Sequence, residues 1–233
     1  MLKIVAKCPA IKKTLVLTVA MGEEYRRFVD EHFLPPMRKY AAKVGADFVV
    51  WEQGYNDQMF CHYWGAMPWI RDQGYDKVLI IDSDVLIKED ADNIFDVDFH
   101  MISMLPTPNC TIPRKLKIRF DKNYVPRVHQ RDIHNAGVML MDRCFVRWFA
   151  GITEQMKDEK FYAGDQMYMC WLCKKYGIVP DELDRKWNCH YKHKDSHASD
   201  ICFVHFVGHG RSHVPSVVAR HKSELLRRYY LRA

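Results

Sequence analysis

The chain has 233 residues, 48% of them hydrophobic and 27% charged, with a formal net charge of +6. That length suits one substantial α/β domain and is short for two independent cores, and the composition excludes a disordered or fibrous chain. The basic surface suits an anionic ligand such as a nucleotide diphosphate, or an anionic membrane, and falls short of a nucleic-acid signal. Residues 1–9 lack the apolar core of a signal peptide, and no segment reaches the ~18 apolar residues of a membrane span. Eight cysteines are scattered without the rhythm of a small disulfide-bonded domain, so reduced thiols in a cytoplasmic setting are expected.

In chain order, residues 14–20 are predicted as a first strand. Gly22 breaks it, and a helix opened by Glu23 runs through Phe28, Val29, Phe33 and Leu34 to stop at Pro35-Pro36. Residues 37–44 form a second helix ending at Gly45, and 46–51 a second strand; this rhythm specifies parallel pairing with right-handed crossovers. Residues 59–71 read as a helix ending near Gly74, with Phe60, Tyr63, Trp64 and Trp69 at helical spacing and assigned to the core. Residues 77–87 follow as one apolar run interrupted only by Asp82-Ser83-Asp84, the pattern of a strand covered on both faces. A short helix over 89–95 and a strand over 100–105 lead into an irregular, proline-rich and basic stretch, 106–131, of the kind that forms functional loops.

Residues 134–142 are a strand entered through a polar corner, Asn135-Ala136-Gly137. A helix over 145–156 comes next, and Gly164-Asp165-Gln166 then caps another over 167–176. Residues 178–180 are extended, 201–206 form a last strand, and a basic helix over 221–232 closes the chain. With no repeat and no linker, 1–233 reads as a single domain. Its parts are a first half over 14–105, a second half over 106–211, and a basic C-terminal segment over 212–233.

Two carboxylates inside an apolar run are costly unless a positive charge sits between them. Positions i and i+2 of an extended chain point the same way, so Asp82 and Asp84 can converge at the carboxyl end of their strand. A divalent cation fits there, and oxygen ligands suit Mg²⁺ or Mn²⁺. A solvated turn is the alternative for a bare Asp-x-Asp, and the apolar flanks argue against it. His205 ends an apolar strand just before Gly208 and Gly210, so its ring can face the same edge or bond a backbone carbonyl. If the ring is a metal ligand it must be neutral, so binding at this edge is expected to weaken as pH falls through the imidazole range at about 6.5. Asp165 is also a natural helix N-cap, and Gly137 a permissive turn residue.

Asp82-Ser83-Asp84, Asn135-Ala136-Gly137, Gly164-Asp165-Gln166 and His205-Phe206-x-Gly208, in that order, resemble the nucleotide-sugar glycosyltransferases of the A-type fold. The chain is most similar to family 8, which includes glycogenin and bacterial lipooligosaccharide galactosyltransferases, over about residues 14–211. The resemblance implies an α/β domain with a mostly parallel central sheet flanked by helices, with a Rossmann-like nucleotide-binding half over 14–105 and a donor-sugar and acceptor half over 106–211. It implies that Asp82, Asp84 and His205 hold Mn²⁺ or Mg²⁺, and that Thr18, Tyr25, Asp82, Ser83, Asp84, Gly208 and Arg211 contact the donor. Tyr25 would stack on the base, and Arg211 stands where the family carries a phosphate-binding Lys. Asn135, Asp165 and Gln166 would border the reacting carbon as catalytic residues. The family's other Lys, in the helix before Asp-x-Asp, has no counterpart, since residues 59–69 contain no Lys. The implied activity is metal-dependent transfer from a nucleoside-diphosphate sugar, a UDP-sugar, to a glycan, lipid-linked or protein acceptor, with retention.

The basic C-terminal helix, with Lys222, Arg227, Arg228 and Arg232 beside Leu225, Leu226 and Leu231, is either a solvated end or a peripheral contact with an anionic membrane. Two other functions fit parts of the chain. Cys170-Trp171-Leu172-Cys173 with Cys189, His190, His193 and His197 has the composition of a structural zinc site, which would make a non-catalytic binding module. A sugar nucleotidyltransferase also sets carboxylates around Mg²⁺, but the first strand lacks the Gly-rich phosphate loop expected for a triphosphate.

Overall fold

The computed structural model describes residues 12–53, 62–107, 133–156, 165–191, 193–196 and 198–206, and omits the side chains of Glu24, Tyr25 and Asp165. Its elements in the first half are β1 (Thr14–Val19), α1 (Glu23–His32), α2 (Leu34–Val44), β2 (Asp47–Trp51), α3 (Met67–Gln73), β3 (Lys77–Asp82), β4 (Val85–Ile87) and β5 (Ile102–Pro106). The second half adds β6 (His134–Asp142), α4 (Arg143–Gln155), α5 (Asp165–Lys175), β7 (Asp181–Glu182), β8 (Cys189–His190) and β9 (Phe203–His205).

β1 pairs in parallel with both β2 and β3, as the strand–helix–strand rhythm predicts. The main sheet has the order β2-β1-β3-β6-β5-β7; β6 runs antiparallel to its neighbours β3 and β5, and β5 is parallel to β7. Five of the six strands therefore run one way. Side chains alternate across this sheet, and both faces are covered. Val16, Leu79 and Ile81 pack with Val29 of α1, Phe33 between the helices and Met37 of α2. Leu15, Leu17, Val78 and Ile80 pack on the other face with Trp64, Met67, Phe145 and Phe149.

The run over 77–87 is two strands. Ser83 and Asp84 form a turn, and β4 leaves the main sheet to join a three-stranded sheet of order β4-β9-β8. The burial explains why the sequence looks continuous. Lys77–Asp82 alternates between two cores, whereas Val85, Leu86 and Ile87 all join the cluster under α2. Pro35 and Pro36 also act differently from expectation, opening α2 instead of separating two helices. First-turn N–H groups have no intrahelical acceptor, so two prolines cost nothing there. The stretch over 89–95 holds only a 3₁₀ turn, Ile94–Asp96, capped by Asn93, whose Oδ1 accepts the Phe95 N–H at 3.1 Å. The aromatic stretch is a 3₁₀ turn, His62–Ala66, leading into α3, with residues 59–61 outside the described residues. Also outside them lie most of the 106–131 stretch, Gly164, His197, Gly208, Arg211 and residues 221–232, where a basic helix is expected. Among the described residues no helix is long and apolar enough to cross a membrane.

Candidate metal and donor site

The two sheets meet at the carboxyl end of β3. Asp82 is the last residue of β3, Asp84 lies in the turn, and Val85 of β4 pairs with His205 of β9. The Asp84 carbonyl accepts the Phe206 N–H at 3.1 Å, which ties the turn to the end of β9. His205 Nε2 consequently lies 3.5 Å from Asp82 Oδ2 and 3.3 Å from Asp84 Oδ1. One ligand atom from each of the three residues falls within 4.8 Å of the others. The His205 side chain is only 4% exposed, against 25% for Asp84 and 46% for Asp82, so the imidazole backs the site and the carboxylates open to solvent. The convergence expected from strand alternation is produced by a turn.

Burial pulls the His205 imidazole down, but hydrogen bonding to Asp82 and Asp84 outweighs it and leaves the group raised to about 9. The pH range expected from an unperturbed imidazole is therefore corrected upward. Two carboxylates converging on one point favour a positive charge between them, and the imidazolium supplies it. Two carboxylates and one imidazole are also a donor set suited to Mn²⁺ or Mg²⁺, with coordination positions left for substrate oxygens.

Gly137 is not a turn residue. It lies inside β6 without a positive φ. A Cβ there would fall 1.9 Å from His205 Cε1 and 2.6 Å from Nδ1, so glycine is needed for the close approach of the ring to the strand. Asn135 Oδ1 accepts the Gly137 N–H at 2.8 Å and an Asn188 Nδ2 hydrogen at 2.9 Å. Asn188 Oδ1 lies 2.8 Å from His205 Nδ1. Sequence reasoning missed Asn188. It sits in a polar stretch without periodicity, and its partners are 53 and 17 residues away.

The other expected site residues fall into three groups. Val19 is in register with Asp82, so the end of β1 lies beside the carboxyl end of β3. Thr18 itself is fully buried on the core face, and its hydroxyl has no hydrogen-bond partner among the described residues. Ser83 is buried too. Gln166 lies one turn before Cys170 on α5, and Cys170 Sγ is 3.3 Å from the His134 nitrogen, which places that helix face beside the start of β6 and Asn135. Asp165 opens α5 and Tyr25 lies in α1, with both side chains outside the described residues, as are Gly208 and Arg211 entirely.

Among the described residues the zinc arrangement is not assembled. Cys173 is buried in the core with Trp64, while Cys189 lies in the cluster on the opposite face of the sheet. Burial, with Cys170 alongside, pushes the Cys173 thiol up to about 12, which keeps it inert. Among the described residues, Asp82, Asp84 and His205 are the group of three able to hold a metal.

No family model matches the chain, and no curated protein does. Solved structures do. A glycosyltransferase involved in glycosylation of the major capsid of PBCV-1 matches with a TM-score of 0.62 and 14% identity, over 91% of this chain and 99% of that one. The galactosyltransferase LgtC, in complex with donor and acceptor sugar analogues, matches with a TM-score of 0.54 and 14% identity, over 93% of this chain and 96% of that one. The glycosyltransferase GlyE of Streptococcus pneumoniae TIGR4 matches with a TM-score of 0.52 and 15% identity, over 94% of this chain and 64% of that one. The chain has the A-type glycosyltransferase fold, similar to that of family 8.

Proposed function

We propose that the protein is a metal-dependent glycosyltransferase that moves a sugar from a nucleoside-diphosphate sugar, a UDP-sugar, to a glycan, lipid-linked or protein acceptor. The observation that carries this reading is the convergence of Asp82, Asp84 and His205 at the carboxyl edge of the sheet, in a chain with this fold. Ligands of open α/β sheets bind at that edge. When bound, Mn²⁺ or Mg²⁺ supplies the charge that stabilises a departing diphosphate. Asp82, Asp84 and His205 would hold the ion, and without it the two carboxylates would repel the diphosphate. His205, backed by Gly137, closes the inner side of the site to water. Asn135 and Gln166 border the donor sugar from β6 and α5, and Arg211 neutralises the phosphates. Retention is part of the proposal, with Gln166 or the substrate steadying the oxocarbenium ion in a front-face transfer, and Asp165 the carboxylate a double displacement would use.

A panel of nucleotide sugars, scored for hydrolysis without acceptor, tests the reading. The expected result is turnover of one or a few UDP-sugars with Mn²⁺, little in chelator, and a raised Mn²⁺ requirement in His205→Ala. Turnover that chelation leaves unchanged rejects the proposal, and inversion seen by NMR of a transfer product rejects its stereochemistry.

A further inference from the structure

We infer that Asn188 is a positioning residue that selects which nitrogen of His205 meets the metal, through a hydrogen-bond chain anchored on the Gly137 backbone. The inference rests on the reading of His205 as a metal ligand. An Asn amide and an imidazole can each be placed in two orientations, but a peptide N–H can only donate. The Gly137 N–H therefore fixes the Asn135 atom 2.8 Å away as oxygen. That oxygen accepts, so the Asn188 atom 2.9 Å from it is Nδ2. The amide is rigid, so Asn188 Oδ1 is the atom that faces His205 Nδ1 at 2.8 Å. An amide oxygen cannot donate, and Nδ1 must carry the proton. The Nε2 lone pair is thereby left for a cation held by Asp82 and Asp84.

The chain is shielded, because Asn188 is 2% exposed and His205 is 3% exposed. Asn188 is in turn held by the fold, its own N–H donating to the Arg185 carbonyl at 3.0 Å at the end of a 3₁₀ turn. Gly137 serves twice, giving the anchoring N–H and the space for the ring. A ligating His whose second nitrogen is oriented this way binds metal more tightly, and losing such a partner typically costs about 10–100-fold in affinity.

Mn²⁺ binding to the wild type, Asn188→Leu and Asn188→Asp, measured by calorimetry without nucleotide, tests the inference. Asn188→Leu removes the acceptor at similar volume and should weaken Mn²⁺ about 10–100-fold. Asn188→Asp keeps an oxygen toward Nδ1 but sets its other oxygen against Asn135 Oδ1, so it should bind Mn²⁺ more weakly than the wild type and more tightly than Asn188→Leu. A purely structural role would weaken both variants alike, and that result overturns the inference, as does wild-type affinity in Asn188→Leu. Long-range ¹H–¹⁵N correlation on the Zn²⁺-loaded wild type, with zinc as a diamagnetic probe, reads the tautomer directly whether or not the Leu variant folds. A proton on Nδ1 supports the inference; coordination through Nδ1 overturns it. If the wild type binds no Mn²⁺, the metal site itself falls, an outcome distinct from a wild type that binds beside an Asn188→Leu that binds equally.

Discussion

A methyl group added to Gly137 would fall 1.9 Å from His205 Cε1, a separation at which one of the two must move. The ring has little room to move, held between Asn188 on Nδ1 and two carboxylates on Nε2. Gly137→Ala should therefore cost about 1–3 kcal/mol of stability through overpacking. It should also weaken Mn²⁺ about tenfold or more, because a displaced imidazole no longer lines up with Asp82 and Asp84. Urea denaturation and Mn²⁺ titration check both parts, and unchanged Mn²⁺ affinity contradicts the second. The charge on His205 gives a second prediction at this scale. Its pKa in the folded, metal-free protein is raised from 6.5 to about 9, so the protonated form contributes stability that is fully present below 6.5 and is lost as pH rises through 9. A metal ion must displace that proton. Mn²⁺ affinity should accordingly rise about tenfold per pH unit through neutrality and level off above about 9. Calorimetry in buffers of different ionisation enthalpy should find about one proton released near neutral pH. An affinity flat across that range excludes His205 from the ligand set.

At the scale of elements, the strands and helices that line the two cores were legible because their apolar periodicity reports burial directly. β1, β2, β6 and α4 fall where the sequence places them, within a residue or two at their ends. The break between β3 and β4 was not legible. Val78 to Ile81 and Val85 to Ile87 are equally apolar, and only the tertiary structure shows that the second group turns into another core. Asp82, Asp84 and His205 stood out as polar residues in apolar runs, whereas Asn188, in a polar stretch, gave no such contrast. Gly137 was visible as a glycine, but its use depends on a histidine 68 residues further along the chain. The junction of β6 and α4 carries a prediction of its own. Asp142 Oδ1 accepts the Phe145 N–H at 2.7 Å as the N-cap of α4, and Oδ2 lies 3.3 Å from the nitrogen of Met101, which has a φ of 62°. Asp142→Ala should destabilise the fold by about 1–2 kcal/mol, with Asp142→Asn losing much less. Equal urea midpoints for Asp142→Ala and the wild type contradict that role.

At the scale of the molecule, the site exists only where two sheets meet. Residues from the ends of β3 and β9, the first half of β6 and the approach to β8 come within hydrogen-bonding reach at one edge. That arrangement places two carboxylates at the open side and a buried imidazole behind them, and a diphosphate approaching this edge meets negative charge unless a cation intervenes. Nucleotide binding should depend on metal for that reason. Calorimetric titration of UDP into the wild-type protein, once with Mn²⁺ and once in excess chelator, tests this most directly. Saturable binding with Mn²⁺ that disappears in chelator is the predicted result, and equal affinity under both conditions would contradict the account.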